Sequence, residues 1–137
     1  MVNQALIDTD TISYFFRKHP AVVKNFDEYL HTFNYLNISV VTYYEILNGL
    51  YYKDAKRQLE QFQGFVRLNN IVVLDDEVAK KAASTFVDLR KKGITIGHND
   101  VLIAATALVN NMVLITNNEK HFSHIEALEI KNWLVKL

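Results

Sequence analysis

Apolar and polar positions along the chain change rhythm several times, and each change marks an element. Ala5 to Ile7 is a short apolar run that meets Asp8-Thr9-Asp10-Thr11, after which Ile12, Phe15 and Phe16 recur at helical spacing. Such a run, ending in Asp and Thr, predicts a buried strand that opens into a capped helix. Taken alone, Asp8, Thr9 and Asp10 are each explained by N-capping. Arg17 and Lys18 follow where cations suit the end of that helix. Pro20 starts a second helix with Val22, Val23, Phe26, Tyr29 and Leu30 as its stripe. Asn34 to Val41, rich in β-branched residues, predicts a second strand.

Thr42 to Glu45 has the Thr-x-x-Glu spacing of a capping box, which would occupy Glu45 with a backbone amide. The helix it opens carries Tyr43, Ile46, Leu47, Leu50 and Tyr51 on one face and Tyr44 and Tyr52 on another. That is more aromatic surface than one stripe hides, and it suggests contact with a second chain. Lys53 to Asn69 reads as an amphipathic helix and Ile71 to Leu74 as a strand. Asp75-Asp76-Glu77 then opens a helix closed by Gly93. After a loop, Ile94 to Asn99, Asp100 heads VLIAATALV, apolar on every side and so expected inside the domain. Met112 to Ile115 predicts a strand, Thr116-Asn117-Asn118 a turn or cap, and Leu128 to Ile130 a last short strand. Alternating strands and helices place the chain in the α/β class with a mainly parallel sheet.

Composition narrows the chemistry. The 137 residues fit one domain, 1–137, and half of them are hydrophobic. With no Cys there is neither a disulfide frame nor a thiolate zinc site. Lys plus Arg and Asp plus Glu balance at 15 each, so net charge lends no support to nucleic-acid binding. No apolar stretch is long enough to cross a bilayer and the N-terminus lacks a signal-peptide pattern, which points to a soluble, cytoplasmic protein with no membrane partner.

In an open parallel sheet, ligands bind beyond the carboxyl ends of the strands. Asp8, Glu45, Asp100 and the Thr116-Asn118 turn all fall at positions that can face that crevice. Two carboxylates about 4 Å apart repel by roughly 4 kcal/mol at an effective dielectric near 20. Several of them gathered together require either protons or a cation. Oxygen ligands without Cys or a His pair favour Mg2+, for which Mn2+ can substitute, and such an ion suits phosphoryl chemistry.

These stretches carry a family resemblance: LIDTDTIS at 6–13, ISVVTYYEILNGL at 38–50, GITIGHNDVLIAATAL at 93–108 and ITNNEKHF at 115–122. Nearly the whole chain resembles the PIN-domain ribonucleases, specifically the VapC-type toxins of toxin–antitoxin pairs. The resemblance implies a three-layer α/β/α fold around a mainly parallel sheet of four to five strands. It also implies endonucleolytic hydrolysis of RNA by metal-activated water, leaving a 5′-phosphate. The partners it implies are RNA, a second copy in a homodimer, and a VapB-like antitoxin whose tail covers the active site. Asp8 and Asp100 match the family's principal metal ligands and Glu45 its third acid, making these three the candidate catalytic residues. The fourth acidic position falls on Asn118, a neutral donor, which weakens a second metal site. Thr116 matches the hydroxyl beside it, and Asp10 is a further candidate through water.

Lys92, His98 and Lys120 are candidates for holding RNA. Helix-end cations and a solvated loop histidine account for the same residues. His121 and His124 share a helical spacing, but two histidines without a third ligand are a weak metal motif. Two rivals stay open. Asp8-Thr9-Asp10-Thr11 also satisfies the Asp-x-Asp-x-Thr motif of haloacid-dehalogenase-like phosphatases, with Asp8 as nucleophile. A PIN module with a degenerate site would bind without cutting.

Overall fold

The computed structural model describes residues 3–135; Met1, Val2, Lys136 and Leu137, the ends of the expected 1–137 domain, lie outside the described residues. Five short strands form its sheet: β1 (Ala5–Ile7), β2 (Asn37–Ser39), β3 (Asn70–Val72), β4 (Val113–Ile115) and β5 (Ile130–Lys131). Their order is β3-β2-β1-β4-β5, and every pairing is parallel. β1 is therefore central, with Leu6 paired to Asn37 on one side and Leu114 on the other. Around the sheet run α1 (Thr9–Phe16), α2 (Pro20–Thr32), α3 (Val40–Tyr52), α4 (Lys56–Arg67), α5 (Asp76–Lys91), α6 (His98–Val109) and the single turn α7 (Glu119–Phe122).

The alternation of side chains along β1 divides the core in two. Leu6 joins Leu114, Val78, Leu89, Ile103, Ala104 and Phe122 under α5 and α6. Ala5 and Ile7 face the other way, toward Ile12, Val22, Phe26, Phe62 and Trp133 under α1, α2 and α4. Because β1 is covered on both faces, its three residues are all apolar and all buried. The result is the three-layer α/β/α arrangement expected from the sequence.

Several boundaries differ from the sequence pattern. The strand expected over 34–41 ends at Ser39, whose hydroxyl accepts from the Thr42 amide at 2.9 Å and caps α3. Val40 and Val41 are helical despite their branching, since Val41 is buried in the α5–α6 core. Thr42 is thus inside the helix and the expected capping box does not form. The helix expected from Lys53 starts at Lys56, after Asp54 turns the chain at φ 50. His98 and Asn99 belong to α6, which Gly97 caps, so Asp100 is its third residue rather than its head. The final strand shifts to Ile130–Lys131. Gly93 closes α5 as expected, with φ +75 and the Ile94 amide donating back to Leu89. Tyr51, expected on the packed face of α3, joins Tyr44 and Tyr52 outside, with exposures of 59%, 58% and 91%.

Candidate active site

The chain leaves β1 at Asp8, and its side chain caps α1: Oδ1 accepts from the Thr9 amide at 2.8 Å. Its Oδ2 accepts from the Thr116 hydroxyl, just beyond β4, also at 2.8 Å. The Asp8 amide donates to Ile115 O at 2.9 Å, so backbone and side chain are both tied to the neighbouring strand. At 5% exposure this carboxyl is far from water. Burial, with the nearby Asp10 and to a lesser degree Asp100, pushes its pKa up to about 7, while the bonds from Thr116 and Thr9 pull the other way.

Glu45 arrives from the second turn of α3. Freed of a capping role, its Oε1 accepts from the Thr9 hydroxyl at 2.6 Å and its Oε2 from Asn99 Nδ2 at 3.3 Å. Thr9 Oγ1 also lies 3.1 Å from Thr42 Oγ1, so α1 and α3 meet through two hydroxyls beside the acid. Asp10 accepts at Oδ2 from the Asn117 amide at 3.0 Å, and Thr11 Oγ1 lies 3.1 Å from its Oδ1.

Asp100 comes from the first turn of α6. Its pKa is raised, chiefly by burial and also by Glu45 and Asp10, while His121 on α7 lowers it. His121 Nδ1 lies 3.2 Å from Asp100 Oδ2. The crevice at the carboxyl ends of β1, β2 and β4 therefore holds Asp8, Asp10 and Glu45, each within electrostatic reach of Asp100. Among the described residues, no Lys or Arg pairs with any of them. Apart from His121 beside Asp100, their side-chain partners are neutral donors, which orient carboxylates without cancelling their charge.

Whether these residues fit a metal ion can be read from that donor set. Hard oxygen ligands, one of them buried and short of compensating charge, suit a hydrated divalent cation. No three His, Asp or Glu side chains among the described residues are gathered closely enough to enclose an ion directly. An ion held there would take one or two of these carboxylates and keep waters as its other ligands.

The remaining candidates divide. Thr116 is in the site, bonded to Asp8. Asn118 is exposed; its amide N–H donates to Thr116 Oγ1 at 3.0 Å and its side-chain nitrogen meets His121 Nδ1 at 2.8 Å. His98 stacks on Phe86, centroids 4.8 Å apart and planes 17° from parallel, so it is held by a ring rather than merely solvated. Lys92 caps α5 and lines a small cleft with Asp88, His124 and Glu126. Lys120 is exposed on α7. Among the described residues no ion pair joins either lysine to the acids. Thr9, Asn99 and His121 are the contacts that sequence reasoning missed. Spacing carries no sign of them, because each depends on elements distant in the chain. A hollow of about 460 Å³, lined by Tyr29, Phe33 and Trp133 among others, includes none of Asp8, Asp10, Glu45 and Asp100. The crevice is distinguished by its charge, not by its volume.

Comparison with known proteins agrees with this geometry. The PIN domain family model matches residues 5–128. Ribonuclease VapC2 of Rickettsia felis is 33% identical over 134 residues, covering 93% of this chain and 96% of the relative. Ribonuclease VapC1 of Haemophilus influenzae is 30% identical over 132 residues, with the same coverage. Among solved structures, VapBC2 from Rickettsia felis bound to a DNA fragment from their promoter superposes with a TM-score of 0.85 at 29% identity, covering 97% of this chain and 99% of that one. Four acids facing one crevice, on a sheet of this order, thus stand in a chain whose sequence and fold both match one group: it belongs to the PIN-domain family, among the VapC ribonucleases.

Proposed function

We propose that this chain is a divalent-metal-dependent endoribonuclease, the toxin of a VapBC-type pair, acting as one domain. The observation that carries the reading is the convergence of Asp8, Asp10, Glu45 and Asp100 without a Lys or Arg partner. The haloacid-dehalogenase-like alternative lapses with the family assignment.

Asp8 and Asp100 would hold the ion, with Mg2+ the first choice for oxygen ligands and Mn2+ able to replace it. When bound, the metal supplies charge to polarise the phosphodiester and to make water a better nucleophile. The chain's own residues do the rest. Thr116 and the Thr9 amide keep both Asp8 oxygens in place. The Thr9 hydroxyl and Asn99 fix Glu45 so that it can orient water or take its proton at a carboxylate oxygen. Such preorganisation by neutral donors costs nothing in charge and spares the acids a search for position during reaction.

Exposed Tyr44, Tyr51 and Tyr52 on α3 support association with other chains. The solved VapBC complexes of relatives support a VapB-like antitoxin as one partner, and a homodimer is the expected assembly. Among the described residues no helix is long and apolar enough to cross a membrane, in keeping with action on cytoplasmic RNA.

The test incubates wild type, Asp8→Asn and Asp100→Asn with structured RNA in Mg2+, in Mn2+ and in chelator. Cleavage leaving 5′-phosphate ends by wild type alone, and only with metal, is the expected result. Equal cutting by all three proteins, or none by wild type in either metal, would overturn it, the second outcome favouring a degenerate binding module.

A further inference from the structure

We infer that Asn132, which bonds to none of Asp8, Asp10, Glu45 and Asp100, is a positioning residue of the active site: it clamps the turn at 116–118 that carries Asp10 and Asp8. Its effect on cleavage rests on the nuclease reading above; the clamp itself is a matter of hydrogen bonds.

The turn after β4 holds two of the acids. The Asn117 amide donates to Asp10 Oδ2 at 3.0 Å. The Asn118 amide donates to Thr116 Oγ1 at 3.0 Å, which leaves that hydroxyl's proton for Asp8 Oδ2 at 2.8 Å. The ladder between β4 and β5 stops just short of these contacts, where the Thr116 amide donates to Lys131 O at 2.9 Å. Beyond that rung, among the described residues, no backbone bond ties Asn117 or Asn118 to the sheet.

Asn132 comes next after Lys131, and its side chain carries the ladder one step further. Its Nδ2 donates to Asn117 Oδ1 at 3.0 Å and to Glu119 Oε2 at 3.2 Å, gripping the turn on both sides of Asn118. Its Oδ1 accepts from the Leu134 amide at 3.0 Å in an Asx turn. The kinds of partner fix both amides. A backbone N–H calls for oxygen and a carboxylate calls for N–H, so Asn132 has one orientation and Asn117 must offer it oxygen. Trp133 anchors the clamp: it is buried, its ring meets Phe26 edge to face, and its carbonyl accepts from Asn25 Nδ2 at 3.0 Å. A side chain from a buried, bonded stretch thus reaches a turn that the strands themselves do not. Without it the turn can drift, and the donors on Asp10 and Asp8 drift with it. Misplacement of that kind is felt in the rate of reaction more than in affinity for RNA.

The experiment compares the full-length wild type with Asn132→Ala, Asn132→Asp, Glu119→Gln and the pair Asn132→Asp/Glu119→Gln. Asn132→Asp keeps the acceptor for Leu134 but sets a carboxylate against Glu119 and Asn117 Oδ1. Glu119→Gln alone still offers oxygen to Asn132. In the pair its amide nitrogen donates to the new carboxylate, and Asn117 turns over to do the same. Two things are read: hydrogen exchange at the Asn117 amide without metal, and kcat and KM for RNA cleavage in Mg2+ or Mn2+. Asn132→Ala and Asn132→Asp each lose about tenfold in protection, the equivalent of one net hydrogen bond. They also lose about tenfold in kcat, the scale of a lost supporting contact, with KM unchanged. Glu119→Gln stays at the wild-type level and the pair recovers both losses. Protection lost while kcat per folded molecule stays unchanged, with folded fractions taken from thermal melts, overturns the positioning role. So does a loss of kcat with protection intact, or a pair no better than Asn132→Asp. A wild type that cuts no RNA in either metal overturns the nuclease reading, the clamp then standing or falling by the exchange measurement.

Discussion

The two ends of the sheet bury polar groups in opposite ways. At the amino ends of the strands, Asn37 is 1% exposed, yet its Nδ2 donates to Ala5 O at 3.1 Å and to Gln4 Oε1 at 3.3 Å, while its Oδ1 accepts from Asn70 at 2.9 Å. Asn69 closes the same end by accepting from the Leu36 amide and donating to Phe65 O. Neutral amides meet neutral amides and every bond is made inside the chain. At the carboxyl ends, Asp8 is almost as buried and equally well bonded, but its charge has no opposite. Hydrogen bonds alone satisfy the first end. The second end also carries a charge that the fold does not neutralise, so part of its stabilisation has to come from outside. One end of the sheet is self-sufficient in its polar contacts and the other is not.

The largest test of that contrast removes the charge. Asp8→Asn should cost more than about a hundredfold in RNA cleavage, beyond the loss typical of a group that merely supports a metal ligand, and it should raise the melting temperature at pH 8. A variant that lost both activity and stability would mean that the carboxylate is a structural cap first. Next comes pH. Because the folded-state pKa of Asp8 lies near 7, above its ordinary 3.8, the folded protein holds a proton that the unfolded chain has released. The associated stability is therefore full below about pH 4 and is lost as pH rises toward 7, on the order of 4 kcal/mol in all. Denaturant unfolding in chelator should follow that slope, and added Mg2+ should flatten it; a flat profile in chelator would dissolve the contrast.

At the other end, Asn37→Leu takes the buried amide donor from the Ala5 carbonyl and leaves the exposed Asn70 side chain to water. It should cost about 2 kcal/mol of stability while leaving cleavage per folded molecule unchanged, as measured by activity normalised to the folded fraction. The smallest effect is expected from Thr116→Val, which removes the hydroxyl bonded to Asp8 and the acceptor of the Asn118 amide. About 1 kcal/mol is lost, and the pH profile of stability moves upward, since one of the bonds lowering the Asp8 pKa is gone.

Much of this was legible in the sequence, and the exceptions have common causes. Asp8 and Asp100 were visible as acids bordering apolar runs, although capping explained Asp8 as well, and its Oδ1 does cap α1. The layer arrangement follows from the same apolar runs. Glu45 was visible as a residue but not in its circumstances: the Thr-x-x-Glu spacing suggested a cap, and Ser39 three positions earlier took that role. Val40 and Val41 looked like strand because local branching preference does not register the burial waiting for Val41 against α5 and α6. Thr9 bonded to Glu45 and His121 set against Asp100 are long-range meetings of short elements. No periodicity encodes a partner 36 or 21 residues away.

β1 is bonded to a neighbour on each side and covered on both faces, and Asp8 is fastened to the end of it. Local fraying, which lets many enzymes idle or pause, cannot loosen that acid without splitting the sheet down its middle. A nuclease that relied on Asp8, as proposed above, would have no internal off-switch of that kind. Restraint has to be applied to the open side of the crevice, by whatever covers it, and released by taking that cover away.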